Sequence, residues 1–148
     1  MKARALVLAL AVAAGGQVAC GLDLGGGKHP AVTAFEAFYW KLQKGDLAAA
    51  GALVVPGSEA ERTLATRRAA AADAEVARGF ALDVSREPDG ELAGRPAIRL
   101  HGEATVTVDP AGYASPFGVP VPHQVEARLV EEAGSWRVAA FRDTVVAH

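Results

Sequence analysis

Apolar and polar side chains alternate from Ile98 to Asp109, and this alternation constrains the fold more than any other feature of the sequence. Successive residues of a strand point to opposite faces of a sheet, so the segment predicts a strand with one buried face and one solvated face. The expected inward set is Ile98, Leu100, Gly102, Ala104, Val106 and Val108. The expected outward set is Arg99, His101, Glu103, Thr105, Thr107 and Asp109. A glycine inside such a run predicts a bulge or a bend.

The same period of two predicts three more strands, one before this segment and two after it. Their expected inward residues are Phe80, Leu82 and Val84, then Val125, Ala127 and Leu129, then Trp136, Val138 and Ala140. The residues expected to face outward on the last strand are Arg137, Ala139 and Phe141. Pro88-Asp89-Gly90 and Glu132-Ala133-Gly134-Ser135 have turn composition, so both are predicted to connect strands.

Register between the second and third strands follows from the loop that joins them, Pro110 to Pro122. Pairing about the middle of that loop places Glu103 opposite Arg128 and Thr105 near Glu126. This pairing keeps both apolar sets on one face, as a single core requires.

Helices are expected before the strands. Pro30 suits the first turn of a helix, and its apolar face consists of Ala31, Phe35, Phe38, Tyr39 and Leu42. Asp46 is placed to cap a short second helix. Ser58 and Glu61 have the spacing of a capping box for a third helix, predicted to reach about Gly79. The expected fold is α+β, with N-terminal helices packed on a curved antiparallel sheet of about four strands, in one domain over residues 30–148.

The first residues indicate export. Lys2 and Arg4 precede ten consecutive apolar residues, Ala5 to Ala14, and small residues follow. Ten apolar residues are too few to span a bilayer, which needs about twenty, so residues 1–19 are predicted to be a secretory signal peptide.

The only cysteine of the chain stands where this signal ends. Val18-Ala19-Cys20-Gly21 resembles the bacterial lipobox, in which the cysteine receives lipid and becomes the first residue of the mature protein. The resemblance implies lipid attachment at Cys20 and, because no aspartate follows the cysteine, the outer membrane rather than the inner one. Three consecutive glycines, Gly25 to Gly27, and the lack of periodicity predict a flexible tether over residues 20–29. Gln17 stands where lipoboxes usually have an aliphatic residue, which leaves open a soluble periplasmic or secreted protein cut near Ala19.

Composition excludes several other classes of protein. The chain has 15 Lys and Arg against 17 Asp and Glu, a net charge of −2, which argues against nucleic acid as a partner. One cysteine excludes an intramolecular disulfide. The four histidines lack metal-ligand spacing and no phosphate-binding loop is present, so neither a metal nor a cofactor is expected.

Two segments carry a family resemblance over residues 30–145. Phe38-Tyr39-Trp40-Lys41-Leu42-Gln43-Lys44-Gly45-Asp46-Leu47 follows an aromatic helix, and the terminal hairpin reads Glu126-Ala127-Arg128-Leu129-Val130-Glu131-Glu132-Ala133-Gly134-Ser135-Trp136-Arg137-Val138. Together they resemble the nuclear-transport-factor-2-like (cystatin-like) superfamily, and within it the small bacterial lipoproteins. The resemblance implies a cone-shaped α+β domain, and that superfamily includes enzymes, transport factors and binding modules.

Two functional hypotheses follow. The favoured one is a non-enzymatic, lipid-anchored envelope domain that binds a small apolar ligand or an envelope protein, with Tyr113, Phe117 and Trp40 at the rim of the site. Two alternatives stay open: the two loop aromatics fold back over the core, and the tryptophan covers the third helix. The alternative is a pocket enzyme of the isomerase, dehydratase or hydrolase type. Asp83, His101 and Tyr39 are the ionisable residues considered for it, and none is assigned a catalytic role because strand parity and helix periodicity give each a structural explanation. Two ionisable groups converging inside one cavity would favour the enzyme.

Overall fold

The computed structural model describes residues 28–70, 76–109 and 117–147. Its helices are α1 (Pro30–Gln43), α2 (Leu47–Gly51) and α3 (Glu59–Ala70). Its strands are β1 (Val76–Leu92), β2 (Arg95–Asp109), β3 (Val119–Glu132) and β4 (Ser135–Val145). The strands form one antiparallel sheet in the order β1-β2-β3-β4, and the helices pack against it, which confirms the α+β class. None of these helices is long and apolar enough to cross a membrane.

Helix α1 begins at Pro30 and buries the face that its periodicity predicts. Phe35, Phe38, Tyr39 and Leu42 are at most 4% exposed and meet the inward residues of the sheet. The side chain of His29 caps the helix, because its Nδ1 accepts a hydrogen bond from the backbone of Ala31 at 3.1 Å. Lys28 pairs with Glu36, so the last two residues of the expected tether contact the helix.

Helix α3 ends at Ala70, and the prediction that it reaches Gly79 is wrong. Phe80 fits both a helical stripe and the alternation that continues through Val84. In the structure Phe80 lies opposite Val106 of β2, so the ladder of hydrogen bonds to β2 decides in favour of a strand that begins at Val76.

The β1–β2 and β3–β4 hairpins each turn at an Ala-Gly pair. Ala93 and Gly94 have φ of 54° and 77°, and Ala133 and Gly134 have φ of 52° and 83°. Two successive positive φ values are typical of the type I′ turn, whose twist matches that of the flanking strands. The segment from Pro88 to Gly90 is therefore not the turn that its composition predicts; it forms an irregularity inside β1.

Strand β3 begins at Val119, inside the expected loop, and this changes its register with β2. Glu103 lies opposite Gln124, and Arg128 lies opposite Arg99, so the predicted partners are wrong by four positions. The shift is even, and both apolar sets remain on the inner face. Proline has no backbone N–H to donate to a neighbouring strand. Prolines are nevertheless tolerated at the start of β3, because the pairing of β3 with β4 ends at His123 and the residues before His123 need not donate to β4.

Gly102 is required by a close approach between strands. A Cβ added there would collide with the backbone oxygen of Asp83 on β1. The β1–β2 register continues through this position, so the expected bulge is absent at Gly102. The inward set of β2 is otherwise buried as predicted, from Ile98 to Val108.

A bulge in β4 reverses the predicted facing of its second half. Val138 pairs with Leu129 and Ala140 pairs with Arg128, which leaves Ala139 without a partner on β3. Phe141 consequently joins the core at 7% exposure, and the prediction that Ala140 faces inward and Phe141 outward is wrong. The same reversal brings Asp143 to the inner face, opposite Val125.

Candidate functional site

Trp40 borders a shallow, open apolar cleft between α1 and the start of β1. Its ring stacks on Phe80 with centroids 5.7 Å apart, and the ammonium of Lys44 lies 5.2 Å from the Trp40 ring. The cleft measures about 490 Å³ and is lined by Glu36, Ala37, Trp40, Gly79 and Phe80. Trp40 therefore packs on Phe80 of β1, and its ring remains half-buried at the edge of the cleft.

Phe117 lies at the same end of the sheet. Its side chain is 86% exposed, the largest value among the large apolar residues of the described chain. The next residue, Gly118, is so close to β1 and β2 that an added Cβ would be 3.4 Å from Arg78 Cδ and 2.5 Å from Thr107 Cγ2. Because Arg78 precedes the Gly79-Phe80 pair that lines the Trp40 cleft, Trp40 and Phe117, two of the three predicted rim residues, both lie near the start of β1.

A second site, absent from the sequence predictions, surrounds the carboxylate of Asp143. Tyr39 donates its hydroxyl hydrogen to Asp143 Oδ1 at 2.9 Å, and His123 Nδ1 lies 2.8 Å from the same oxygen. Gln43 Nε2 donates to Oδ2 at 2.9 Å, and Arg67 Nη2 donates to it at 3.2 Å. We call these five residues the Asp143 cluster. The Asp143 side chain is only 4% exposed and that of His123 only 9%.

Burial and the charge of Asp143 change the protonation behaviour of the Asp143 cluster, most clearly at Tyr39. Burial raises the pKa of Tyr39, and the negative charge of Asp143 and its hydrogen bond raise it further. The phenol therefore stays protonated and acts as a donor to the carboxylate. Arg67 offsets the charge of Asp143, and its guanidinium also lies 5.7 Å from the Phe141 ring.

The outer sheet face carries the charged row that strand parity predicts. Glu126 accepts hydrogen bonds from Arg99 and, at 3.3 Å, from Arg142. The bond from Arg99 lowers the pKa of Glu126 and raises that of Arg99. His101, 45% exposed, lies 3.9 Å from Glu87. These side chains border an open cleft of about 620 Å³.

The three ionisable residues considered for an enzyme occupy different places. His101 and Asp83 belong to the outer face, where Asp83 lies opposite Glu103. Tyr39 is fully buried with its hydroxyl bonded, as its position on the apolar face predicts. Of the three, only Tyr39 is buried together with other ionisable groups, and those partners were not predicted.

Two predicted site residues, Cys20 and Tyr113, lie outside the described residues, as do the signal peptide and residues 20–27 of the tether. Within the described ranges no group of three or more His, Cys, Asp or Glu side chains is placed to hold a metal ion. Comparisons of the chain with protein-family models, curated proteins and solved structures found no match. The candidate sites therefore rest on their geometry.

Proposed function

We propose that this chain is a bacterial cell-envelope lipoprotein whose folded part is a nuclear-transport-factor-2-like domain that binds a small apolar ligand or an envelope protein without transforming it. The observation that carries the binding function is the apolar cleft at Trp40 together with the exposed Phe117 at the same end of β1 and β2. An exposed aromatic side chain near an apolar cleft is typical of a recognition surface.

The anchor is the part of this proposal that the sequence supports. Acyl chains on Cys20 would hold the domain at a membrane surface, because each buried methylene contributes about 0.8 kcal/mol. The outer membrane is favoured over the inner one. Cys20→Ala should convert a membrane-associated protein into a soluble one. Intact-mass analysis should find lipid on Cys20; an unmodified Cys20, or a mature chain that begins elsewhere, would exclude the lipoprotein.

The rim can be tested with a neutral apolar dye, N-phenyl-1-naphthylamine. The chain has two tryptophans, so Trp136→Phe leaves Trp40 as the only indole reporter. Saturable dye binding should quench Trp40 fluorescence. Tyr113→Ser combined with Phe117→Ser should abolish the quenching while the melting temperature changes little.

Val145→Ser is the matched control, because Val145 is an apolar residue with 57% exposure outside the rim. It should leave dye binding unchanged. If the double variant melts several degrees lower and still binds the dye, the segment that carries Tyr113 and Phe117 covers the core and the rim assignment is wrong.

A second candidate function, a pocket enzyme of the isomerase, dehydratase or hydrolase type, is favoured by one observation. Tyr39, His123 and Asp143 converge at hydrogen-bond distance on the inner face of the sheet. A ligand that co-purifies with the protein should distinguish the two functions. Its chemical conversion by the wild-type chain, with no conversion by His123→Gln, would favour the enzyme over the binding domain.

A further inference from the structure

Asp143 determines which ring nitrogen of His123 carries a proton. An ionised carboxylate accepts hydrogen bonds and donates none. All four bonds to Asp143 are satisfied when the carboxylate is ionised and the hydroxyl, amide, guanidinium and imidazole each donate to it. In the neutral ring this bond assigns the proton to Nδ1, so that Nε2 presents a lone pair.

Nε2 of His123 is left available by the rest of the Asp143 cluster. Asp143 is the only hydrogen-bond partner of the His123 side chain among the described residues, and it contacts Nδ1. The His123 side chain keeps 9% of its surface exposed, so it is not fully enclosed by protein. A histidine oriented by a carboxylate at one nitrogen is arranged to accept a proton at the other.

We propose that His123 Nε2 is the proton acceptor of a second ligand site, which takes a small neutral molecule bearing a hydroxyl group. Neutrality follows from the charges, because Arg67 offsets Asp143 and leaves no net charge to attract an ion. Asp143 is a positioning residue that acts through His123. The inference rests on the second candidate function, the pocket enzyme. It uses none of the predicted rim residues Tyr113, Phe117 and Trp40.

The proton transfer needs no further reactant. The O–H bond of the ligand breaks, its electron pair stays on the ligand oxygen, and an N–H bond forms at Nε2. The resulting imidazolium keeps its Nδ1–H bonded to the anionic Asp143, which stabilises the positive charge. Return of the proton restores neutral His123.

Nitrogen NMR tests the protonation state without any ligand. The neutral His123 ring should be in the Nδ1–H form, with its resonances assigned through the His123→Gln variant. Asp143→Asn should change the proportion of the two tautomers, because an amide can donate to Nδ1 where a carboxylate cannot. His101, on the outer face, should keep its tautomer in that variant and serves as the internal control.

A chromogenic ligand tests the proton acceptor directly. 4-Nitrophenol absorbs at longer wavelength once its hydroxyl proton is lost, so proton transfer to Nε2 should produce the phenolate spectrum below the pKa of the free phenol. His123→Gln should remove this signal and weaken binding about tenfold or more. His101→Gln is the matched control and should retain both the signal and the affinity.

Two results would overturn the proposal. One is an Nε2–H tautomer at His123 in the wild-type protein. The other is a nitrophenol spectrum that is the same with wild type and His123→Gln when both are folded by circular dichroism. Loss of dye quenching in the rim variants, by contrast, concerns the binding function alone, so the two proposals fail separately.

Discussion

Two carboxylates on opposite faces of the sheet gather charged partners, yet their surroundings differ. Asp143 on the inner face is 4% exposed and has four partners, drawn from α1, α3 and β3. Glu126 on the outer face is 38% exposed and is bonded by arginines of the neighbouring strands. We expect the free energy of unfolding to depend strongly on the Asp143 carboxylate and weakly on that of Glu126. Water competes for the hydrogen bonds of the exposed Glu126 but has little access to those of Asp143.

The two clusters also differ in what they connect. The partners of Glu126 lie within one sheet, whose register backbone hydrogen bonds already hold. The partners of Asp143 join two helices to the end of β4, where Arg67 also donates to the Asp143 backbone oxygen at 3.4 Å. Loss of Asp143 should therefore loosen the packing of helices on the sheet, and loss of Glu126 should leave it intact.

The largest expected effect is that of Asp143→Ala. Removal of the carboxylate leaves the Tyr39 hydroxyl and the His123 ring buried without their acceptor, and we expect a loss of about 3 kcal/mol in the free energy of unfolding. Urea denaturation at neutral pH measures this loss. Glu126→Ala is the control, with a change within about 0.5 kcal/mol. Equal losses in the two variants would refute the contrast between the faces.

Tyr39→Phe should have the next largest effect. It removes only the hydroxyl that donates to Asp143 at 2.9 Å and retains the ring contacts with Phe35 and Phe80. Hydrogen bonds to charged groups are worth about 1.5–3 kcal/mol, and we expect a loss near the lower limit because three donors to Asp143 remain. An unchanged urea midpoint would mean that the hydroxyl contributes nothing to the stability of the Asp143 cluster.

Alkaline pH should weaken the fold through the same hydroxyl. Burial raises the pKa of Tyr39 in the folded state, so above about pH 10 the unfolded chain releases this proton and the folded chain keeps it. The contribution of Tyr39 is fully present below that pH and falls as pH rises, by at most about 1.4 kcal/mol per pH unit. Tyr39→Phe should show a shallower alkaline decline; identical slopes would contradict the raised pKa.

Glu126→Gln should cause the smallest loss in the free energy of unfolding. Its loss should also depend on salt concentration, unlike the loss in Asp143→Ala. The pairs of Glu126 are exposed, so the loss should be at most about 0.5 kcal/mol at low salt and should vanish near 1 M salt, where charges are screened within about 3 Å. The loss in Asp143→Ala should persist at 1 M salt. If both losses disappear, the Asp143 cluster is as accessible to solvent as the outer face.

The fold could be predicted from sequence wherever local patterns decide it. The alternation in β2 and the face of α1 depend on residue order alone, and both are confirmed. The end of α3 and the register of β3 were wrong because each depends on where a neighbouring strand begins. Phe80 and Pro120 have no local feature that distinguishes a strand from the alternatives; pairing with β2 decides both.

The rim residues can likewise be recognised from local sequence, whereas the Asp143 cluster depends on tertiary structure. Phe117 and Trp40 stand out in sequence as aromatics in a Pro-rich loop and off the main helix face. Asp143 could not be predicted as buried, because an alanine bulge precedes it and Ala139 carries no glycine or proline signal. Without that bulge, parity from Val138 would place Asp143 on the outer face among solvated charges.

The sequence by itself determined the order of helices and strands, the two faces of β2 and the apolar face of α1, because these depend on spacings of two to four residues. The tertiary structure alone decided the Asp143 cluster. Tyr39 and Asp143 are 104 positions apart in the chain, and Arg67 and Asp143 are 76 apart. Such distant side chains meet only when sheet register, a one-residue bulge and the packing of two helices act together, and no local spacing records that combination.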